Sequence, residues 1–395
     1  MLTKLDTQCA EAATAQSPVT FCAAALDQSF PMKITHLIES TATGTLAMVC
    51  LAANHFAARG HKISVVYSQR PETPSNLAGL FHRDVALHAL PMGPKDLPVS
   101  LIEVRRKLKE LNPDVLHMHS SFAGFVGRMA TLGWRSDLRA LYSPHCISFM
   151  RTDISRTRRR IFTLLEAVAA RGRASYVACS RSEAQAIERS LGRPAILLEN
   201  AVDVDFFAPS KWEASTSAMR SGARFTVVTA GGIRRQKGFE LFAEIARRLS
   251  GQGFDFLWIG DGDTANKAVL IDAGVRVSGW RTRQDVRDIL HAAHTYLSTA
   301  AWEGMPISVI EAMAAGLPVL ASRCAGNVDV IDDGINGLLF SVADEAVSCL
   351  ERLRGDSSLH TDLASGGQQA ARQRFAQGRF LDELEQIYIG PSKPH

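Results

Sequence analysis

The sequence predicts an α/β protein of two tandem doubly wound domains facing a cleft. Its 395 residues favour two domains over one, at about 100 to 200 residues per domain. From Met32 onward, short β-branched runs alternate with helical patterns, the signature of a parallel sheet with crossover helices. That alternation breaks off after Val202 and then begins again. With 46% hydrophobic and 21% charged residues, the composition is that of a globular chain and excludes a disordered, collagenous or coiled-coil one.

In the first half, residues 33–39 (KITHLIE) read as a strand, Leu46 to Ala58 as a helix stopped at Gly60, and residues 62–68 (KISVVYS) as the next strand. Two further strands are expected at 114–120 (DVLHMHS), entered from Pro113, and at 140–145 (ALYSPH). The stretch FFAPSKWEASTSAMRSGA keeps no apolar period of 2 or 3.6 and is expected to be a linker over 206–222. Beyond it come a strand at 225–230, a glycine-rich loop, a helix from Phe239 to Leu249 and a strand at 255–260. Strands at 276–280, 295–299 and 318–322 then alternate with helices Asp285 to Ala293 and Pro306 to Ala315. A last helix, Phe375 to Tyr388, aligns Phe380, Leu381, Leu384 and Ile387 and is expected to pack back on the first domain. The expected organisation is a loose tail over 1–31, a first domain over 32–205 plus 375–390, the linker, and a second domain over 223–374.

Forty-four Lys and Arg against 40 Asp and Glu leave a net charge of +4, which implies no wholesale coating of nucleic acid. The cysteines, Cys9, Cys22, Cys50, Cys146, Cys179, Cys324 and Cys349, form no CxxC pair and no metal-ligand spacing, and suit a reducing cytoplasm. No apolar run reaches membrane-spanning length, and Asp6 and Glu11 interrupt any secretory pattern in residues 1–31, so the chain is not expected to cross a bilayer.

The densest chemical signal is WEGMPISVIEAMAAGLPVLAS, Trp302 to Ser322. Pro306 suits a first helical turn, and Gly316 with Pro318 suits the stop. The free N–H groups around Gly304, Met305 and Ile307, at the positive end of the helix dipole, suit a phosphate or sugar hydroxyls. Glu303 precedes this helix and Glu311 lies in its second turn, about 7 Å further at 1.5 Å rise per residue, so two carboxylates can accept from hydroxyl pairs at one helix mouth. Glutamates at this spacing also arise by chance; the Gly and Pro punctuation around them is what singles them out. The second signal is GGIRRQKG, Gly231 to Gly238, whose glycines let backbone approach a phosphate while Lys237, Arg234 and Arg235 supply charge. It is neither a Walker loop nor GxGxxG, which argues against hydride transfer, and by itself it reads equally as a turn with solvated cations.

GGIRRQKG followed by EGMPISVIEAM resembles the donor half of the retaining family-4 glycosyltransferases, which have the GT-B fold of two Rossmann-like domains. HLIESTATGTL, DVLHMHSSFAGFVGR, LYSPHCISFMR and LLENAVD extend the resemblance through the first half, so that it runs from about Met32 to Tyr388. It implies a nucleotide-diphosphate sugar, expected to be a UDP-sugar, held by the second domain, an acceptor held by the first, and neither metal ion nor cofactor. Lys237 would go to the diphosphate, Glu311 to the ribose hydroxyls, and Glu303 with the amides of Gly304, Met305 and Ile307 to the donor sugar. His145 matches the family's histidine near that sugar, and Gly44 the glycine loop beside the diphosphate. The expected catalytic set is thus Lys237, Glu303 and His145. In the family's proposed mechanism the leaving phosphate oxygen takes the acceptor's proton on the same face, so no protein base is nominated. This chain departs from the family at Gly232, where arginine is common, so that either Arg234 or Arg235 serves or the diphosphate is held more weakly. It departs also at Cys146, where glycine is usual, and at Ala42, Thr43 and Gly44, which replace paired glycines.

Of the remaining signals, His117 and His119 share one strand face but have no evident third ligand, so no metal is assigned, and His119 is the expected acceptor-side residue. Asp261 and Asp263 flank Gly262 and read as a turn. Arg151 to Arg173 holds seven arginines interleaved with Ile161, Phe162, Leu164 and Leu165, and reads equally as a solvated helix face or a surface for anionic lipid. On the lipid reading the enzyme is peripheral on the cytoplasmic membrane, and its acceptor is a lipid-linked saccharide of a bacterial capsule, exopolysaccharide or lipopolysaccharide. The rival readings are a nucleotide-sugar epimerase of the same fold and a non-catalytic binder of glycan phosphates.

Overall fold

A computed structural model describes residues 31–41, 43–209 and 224–390. The tail expected over 1–31, apart from Pro31, and most of the expected linker lie outside these residues, as does Ala42. Seven parallel strands form the first sheet: β1 (Lys33–Ile38), β2 (Lys62–Tyr67), β3 (Val85–Ala89), β4 (Val115–His119), β5 (Arg139–Ser143), β6 (Ser175–Ala178) and β7 (Ala195–Leu197). Their order is β3-β2-β1-β4-β5-β6-β7. The second sheet holds β8 (Phe225–Ala230), β9 (Phe254–Ile259), β10 (Arg276–Val277), β11 (Thr295–Ser298), β12 (Val319–Ser322) and β13 (Leu338–Phe340), in the order β10-β9-β8-β11-β12-β13. In both sheets the order reverses beside the first strand, between β1 and β4 and between β8 and β11. The crevice outside the carboxyl ends of strands at such a reversal is where open α/β sheets bind ligands.

Helices cover both faces of each sheet, so the strands are apolar on both sides. On β1, Ile34 and Ile38 pack under the Thr43–Ala58 helix, while Leu37 joins the opposite cluster with Val104 and Val126. The last helix, Gln377–Ile389, buries Phe380, Leu384, Ile387 and Tyr388 in the same cluster as Ile34 and Phe56. Positions 206 and 207, expected to open the linker, instead end a short helix, Val204–Phe207, capped by the Asp203 carboxylate, and Phe207 is fully buried beside Val309 and Phe375. Phe207 is core and Phe206 packs half-buried against it, which is why the local sequence has no surface periodicity.

The helices Ser121–Ala130 and Arg156–Ala169 are tied by a buried ion pair, Arg128 to Glu166 at 2.7 Å. Tyr142 donates to the same carboxylate at 3.0 Å, and the Arg128 guanidinium lies 4.1 Å from the Tyr142 ring centre. Glu166 therefore faces inward, and the outer face of its helix carries Arg156, Arg158, Arg159 and Arg160 with exposed Ile161, Leu164 and Leu165. No helix among the described residues is long and apolar enough to cross a membrane. Breaking the buried pair leaves a carboxylate without its counter-charge, so Arg128→Ala is expected to lower unfolding stability by about 3–5 kcal/mol. Thermal unfolding followed by circular dichroism checks this, and an unchanged midpoint would refute the structural role of the pair.

Candidate active site

Residues from both sheets line a cavity of about 460 Å³ at the two strand-order reversals. On the second-sheet side, β8 ends at Ala230 and GGIRRQKG turns back through a short 3-10 segment, Arg235–Lys237. Gly238 closes that turn at φ 66°, and a side chain there would place its Cβ 1.8 Å from the Thr299 carbonyl oxygen, so only glycine fits. Thr299 Oγ1 donates to the Lys237 carbonyl at 3.0 Å, which fixes the turn against the end of β11. Lys237 Nζ consequently reaches Glu303 Oε1 at 2.8 Å, and Gln236 Nε2 donates to the other carboxylate oxygen at 3.3 Å. Burial works against the Lys237 ammonium, yet the Glu303 charge raises its pKa on balance.

The helix Ile307–Ala314 starts directly after Pro306, whose carbonyl accepts from Val309 and Ile310. The N–H groups of Ile307 and Ser308 thus have no helical acceptor, and both residues line the cavity. Glu311 lines it one turn later; burial pushes its carboxyl up to about 7, against the opposing pull of Arg283 and Lys237. Arg234 lines the cavity, whereas Arg235 points outward and pairs with Glu240 at 3.5 Å, so of the two arginines expected to serve in place of one at Gly232 only Arg234 is in position. Trp280, 64% exposed, and Arg281 line the same cavity.

From the first sheet, Gly44 lies at the start of the Thr43–Ala58 helix, and a Cβ there would sit 3.0 Å from Ile307 Cδ1, so two helix amino termini meet across the cavity. His145 and Cys146 follow β5 with φ of 53° and 91°, a left-handed turn that L side chains rarely adopt. Glu183 holds it: its carboxylate accepts from the backbone N–H of Cys146 (2.7 Å), Ile147 (2.8 Å) and Cys179 (2.9 Å). Burial pushes the Glu183 carboxyl up, and these amide donors hold it down in part. Gly304 packs on the turn, where a Cβ would come 2.7 Å from the Cys146 nitrogen and 3.0 Å from Cys179 Sγ. Cys146, standing where glycine was expected, keeps its strained backbone because this carboxylate pins it.

The structure brings Gly44, His145, Gly232, Arg234, Lys237, Glu303, Gly304, Met305, Ile307 and Glu311 to one cavity. It does not bring His119 there. That residue, expected on the acceptor side, is 3% exposed on the β4 face covered by the last helix, bonded through Nε2 to His36 Nδ1 and through Nδ1 to His145 Nε2, each at 3.1 Å. The third histidine that the sequence did not offer is His36, which the parallel register sets beside His117, and one nitrogen of each of His36, His117 and His119 falls within 4.8 Å of the others. Both His117 nitrogens are already engaged, with Tyr388 Oη and Ser143 Oγ, each at 2.8 Å. Asp261 pairs with Lys267 at 2.6 Å and Asp263 caps the following helix, the turn roles expected of them.

Glu183, Gln236 and His36 carried no sequence signal. Glu183 sits three residues after Ser180 in a capping pattern, and only the fold aims its carboxylate back at β5.

Two family descriptions match the chain, "Glycosyltransferase Family 4" over residues 44–206 and "Glycosyl transferases group 1" over residues 224–356. An Escherichia coli protein named UDP-Gal:alpha-D-GlcNAc-diphosphoundecaprenol alpha-1,3-galactosyltransferase is 24% identical over 309 residues, 73% of this chain and 79% of its own length. The lipopolysaccharide core biosynthesis glycosyltransferase LpsE of Rhizobium meliloti is 29% identical over 177 residues, 42% of this chain and 50% of its own. Among solved structures, Anabaena HepE in complex with UDP and glucose superposes with a TM-score of 0.74 at 21% identity, covering 90% of this chain and 98% of that one. With two sheets of this order, a cavity at their reversals, and both family descriptions falling on the halves that supply its walls, the chain belongs to the group 1, family 4 glycosyltransferases of the GT-B fold.

Proposed function

We propose that this protein transfers a sugar, with retention at the anomeric carbon, from a UDP-sugar or related nucleotide donor onto a glycan of a bacterial surface polysaccharide. The observation that carries the reading is the Lys237–Glu303 pair at 2.8 Å beside the amino terminus of the Ile307–Ala314 helix. A diphosphate entering there meets an ammonium and free amides, and these take up the negative charge that develops as the donor bond breaks. That is the charge-stabilising role a divalent metal plays in other transferases, so a metal-independent reaction fits the site. Glu303, released from its cation, accepts from the donor sugar's hydroxyls, and Glu311 accepts from the ribose. Trp280, exposed at the cavity rim, offers an aromatic face to the base. The leaving phosphate oxygen removes the proton of the incoming hydroxyl, so the new glycosidic bond forms on the face from which the diphosphate departs.

The names of the relatives support an acceptor that is part of a cell-surface polysaccharide, and the Escherichia coli one supports a lipid-linked saccharide. The arginine-rich outer face of the Arg156–Ala169 helix, with Ile161, Leu164 and Leu165 exposed beside it, suits an anionic membrane surface. The protein would then work on the cytoplasmic side as a peripheral enzyme. An epimerase of the same fold would convert the donor sugar with no acceptor present.

One assay addresses donor, acceptor and surface together. With a nucleotide-sugar and a lipid-linked saccharide in vesicles of anionic lipid, the protein is expected to sediment with the vesicles in a salt-sensitive manner and to form a product of unchanged anomeric configuration by proton NMR. Conversion of the donor sugar without acceptor, or inversion in the product, would overturn the reading. Glu311 gives a pH prediction. Its carboxyl titrates near 7, and only the ionised form accepts two hydroxyl bonds, whereas the diphosphate of an intact nucleotide-sugar has no group titrating nearby. Donor affinity should therefore rise by roughly tenfold from pH 6 to pH 8, and Glu311→Gln should flatten the profile. Calorimetric titration at several pH values measures this, and an equally steep profile in the variant would refute it.

A further inference from the structure

Three imidazoles run in series from the floor of the cavity into the first sheet, the inner two buried. His145 Nε2 meets His119 Nδ1 at 3.1 Å, and His119 Nε2 meets His36 Nδ1 at 3.1 Å. The far nitrogen, His36 Nε2, is buried and has no hydrogen-bond partner among the described residues. His36 is 0% and His119 3% exposed, and His145 lines the cavity. The fourth histidine, His117, lies outside the series because Tyr388 and Ser143 occupy both its nitrogens.

Burial holds all of these rings in the neutral form, with His36 and His145 pushed down to about 4. A neutral imidazole carries one N–H and one lone pair, so the two hydrogen bonds of the series must point the same way. If the protons run inward from His145, the series ends in a His36 Nε2–H group with nothing to receive it. If they run outward, His36 Nδ1–H donates to His119 Nε2, His119 Nδ1–H donates to His145 Nε2, and the orphan at His36 is a lone pair. A buried donor without an acceptor is the rarer and costlier of these two ends. The outward sense also leaves His145 with its proton on Nδ1, the one ring nitrogen still available to a ligand.

We propose that His36 and His119 are positioning residues that lock His145 in the Nδ1–H tautomer, so that it presents a hydrogen-bond donor to an oxygen of the donor sugar or its diphosphate. The inference rests on the reading of the cavity as the nucleotide-sugar site. It assigns a use to a histidine two side chains away from any substrate, and it accounts for two imidazoles, His36 and His119, in a sheet core that could have been filled with aliphatic residues. The geometry of neutral rings held by one another supplies the tautomer in the way a second hydrogen bond commonly does for a working histidine.

The test compares the full-length wild type with His36→Asn and His36→Leu, all labelled with 15N-histidine. Asparagine places an amide N–H where His36 Nδ1 stands and so restores the outward donor; leucine fills the space without one. Long-range 1H–15N correlation spectra, with His145 assigned through His145→Asn, should show Nδ1 protonated in the wild type and in His36→Asn. In His36→Leu the His145 tautomers should become mixed. Transfer assays should then show kcat about tenfold lower in His36→Leu, with donor KM within about twofold and with His36→Asn close to wild type. An Nε2-protonated His145 in the wild type would overturn the proposal, and so would a His36→Leu protein with unchanged tautomer and kcat, or stoichiometric zinc held by His36, His117 and His119. Nucleotide-sugar titration of the wild type separates the two levels: absent binding refutes the cavity reading, while the tautomer is read from the spectra whatever the ligand.

Discussion

A single ion pair, Lys237 to Glu303, organises the cavity. Neither charge is well hydrated where it lies, and burying either one alone would cost several kcal/mol. Together they hold an ammonium ready at the mouth of the Ile307–Ala314 helix, where free amides already favour an anion. The pair exists only because the loops after β8 and β11 meet at the strand-order reversal, and their meeting depends on a glycine at 238 that lets the backbone pass against Thr299. On the proposed function, donor binding becomes an exchange of counter-charges, in which the diphosphate would take the lysine and the freed carboxylate would take sugar hydroxyls. The desolvation of both groups is already met in the unliganded fold, so little reorganisation is left for the reaction itself.

The opposite wall is set by a carboxylate acting on backbone. Glu183 gathers three amides and thereby holds His145 and Cys146 in a left-handed turn, against which Gly304 of the second half packs without room for a side chain. The position of His145 relative to Glu303 is thus fixed by main-chain contacts on both sides. Its protonation is fixed from beneath by the imidazole series in the sheet. Position and tautomer are supplied by different elements, the first by the Arg181–Leu191 helix and the second by β1 and β4.

Much of this was legible in the sequence, and unevenly so. The central strands and the Ile307–Ala314 helix could be read because apolar runs bounded by Gly and Pro encode them locally. The peripheral strands β3, β6, β7 and β13 leave no such signal, being three to five residues long and only partly buried in several cases. The second-half wall of the cavity is legible because Lys237, Glu303 and Glu311 lie in two contiguous motifs. His119 was misplaced because its proximity to a cavity-lining residue depends on whether the strand face is open or roofed by the last helix. His36 and Glu183 were invisible for a related reason: register between β1 and β4 and the path of a helix are long-range facts, and nothing in the spacing of residues along the chain records them. Phe206 and Phe207 show the converse: their stretch carries no apolar period, yet the fold buries Phe207 in the core.

Calorimetric titration of UDP in EDTA tests the counter-charge exchange most directly, using wild type, Lys237→Met and the double variant Lys237→Met with Glu303→Gln. Exchange predicts metal-free binding by the wild type, weakened at least about tenfold in Lys237→Met, and still weak in the double variant because neutralising Glu303 restores no cation to the phosphates. Wild-type affinity in the double variant would mean that the lysine merely cancels Glu303, and that the diphosphate is held elsewhere.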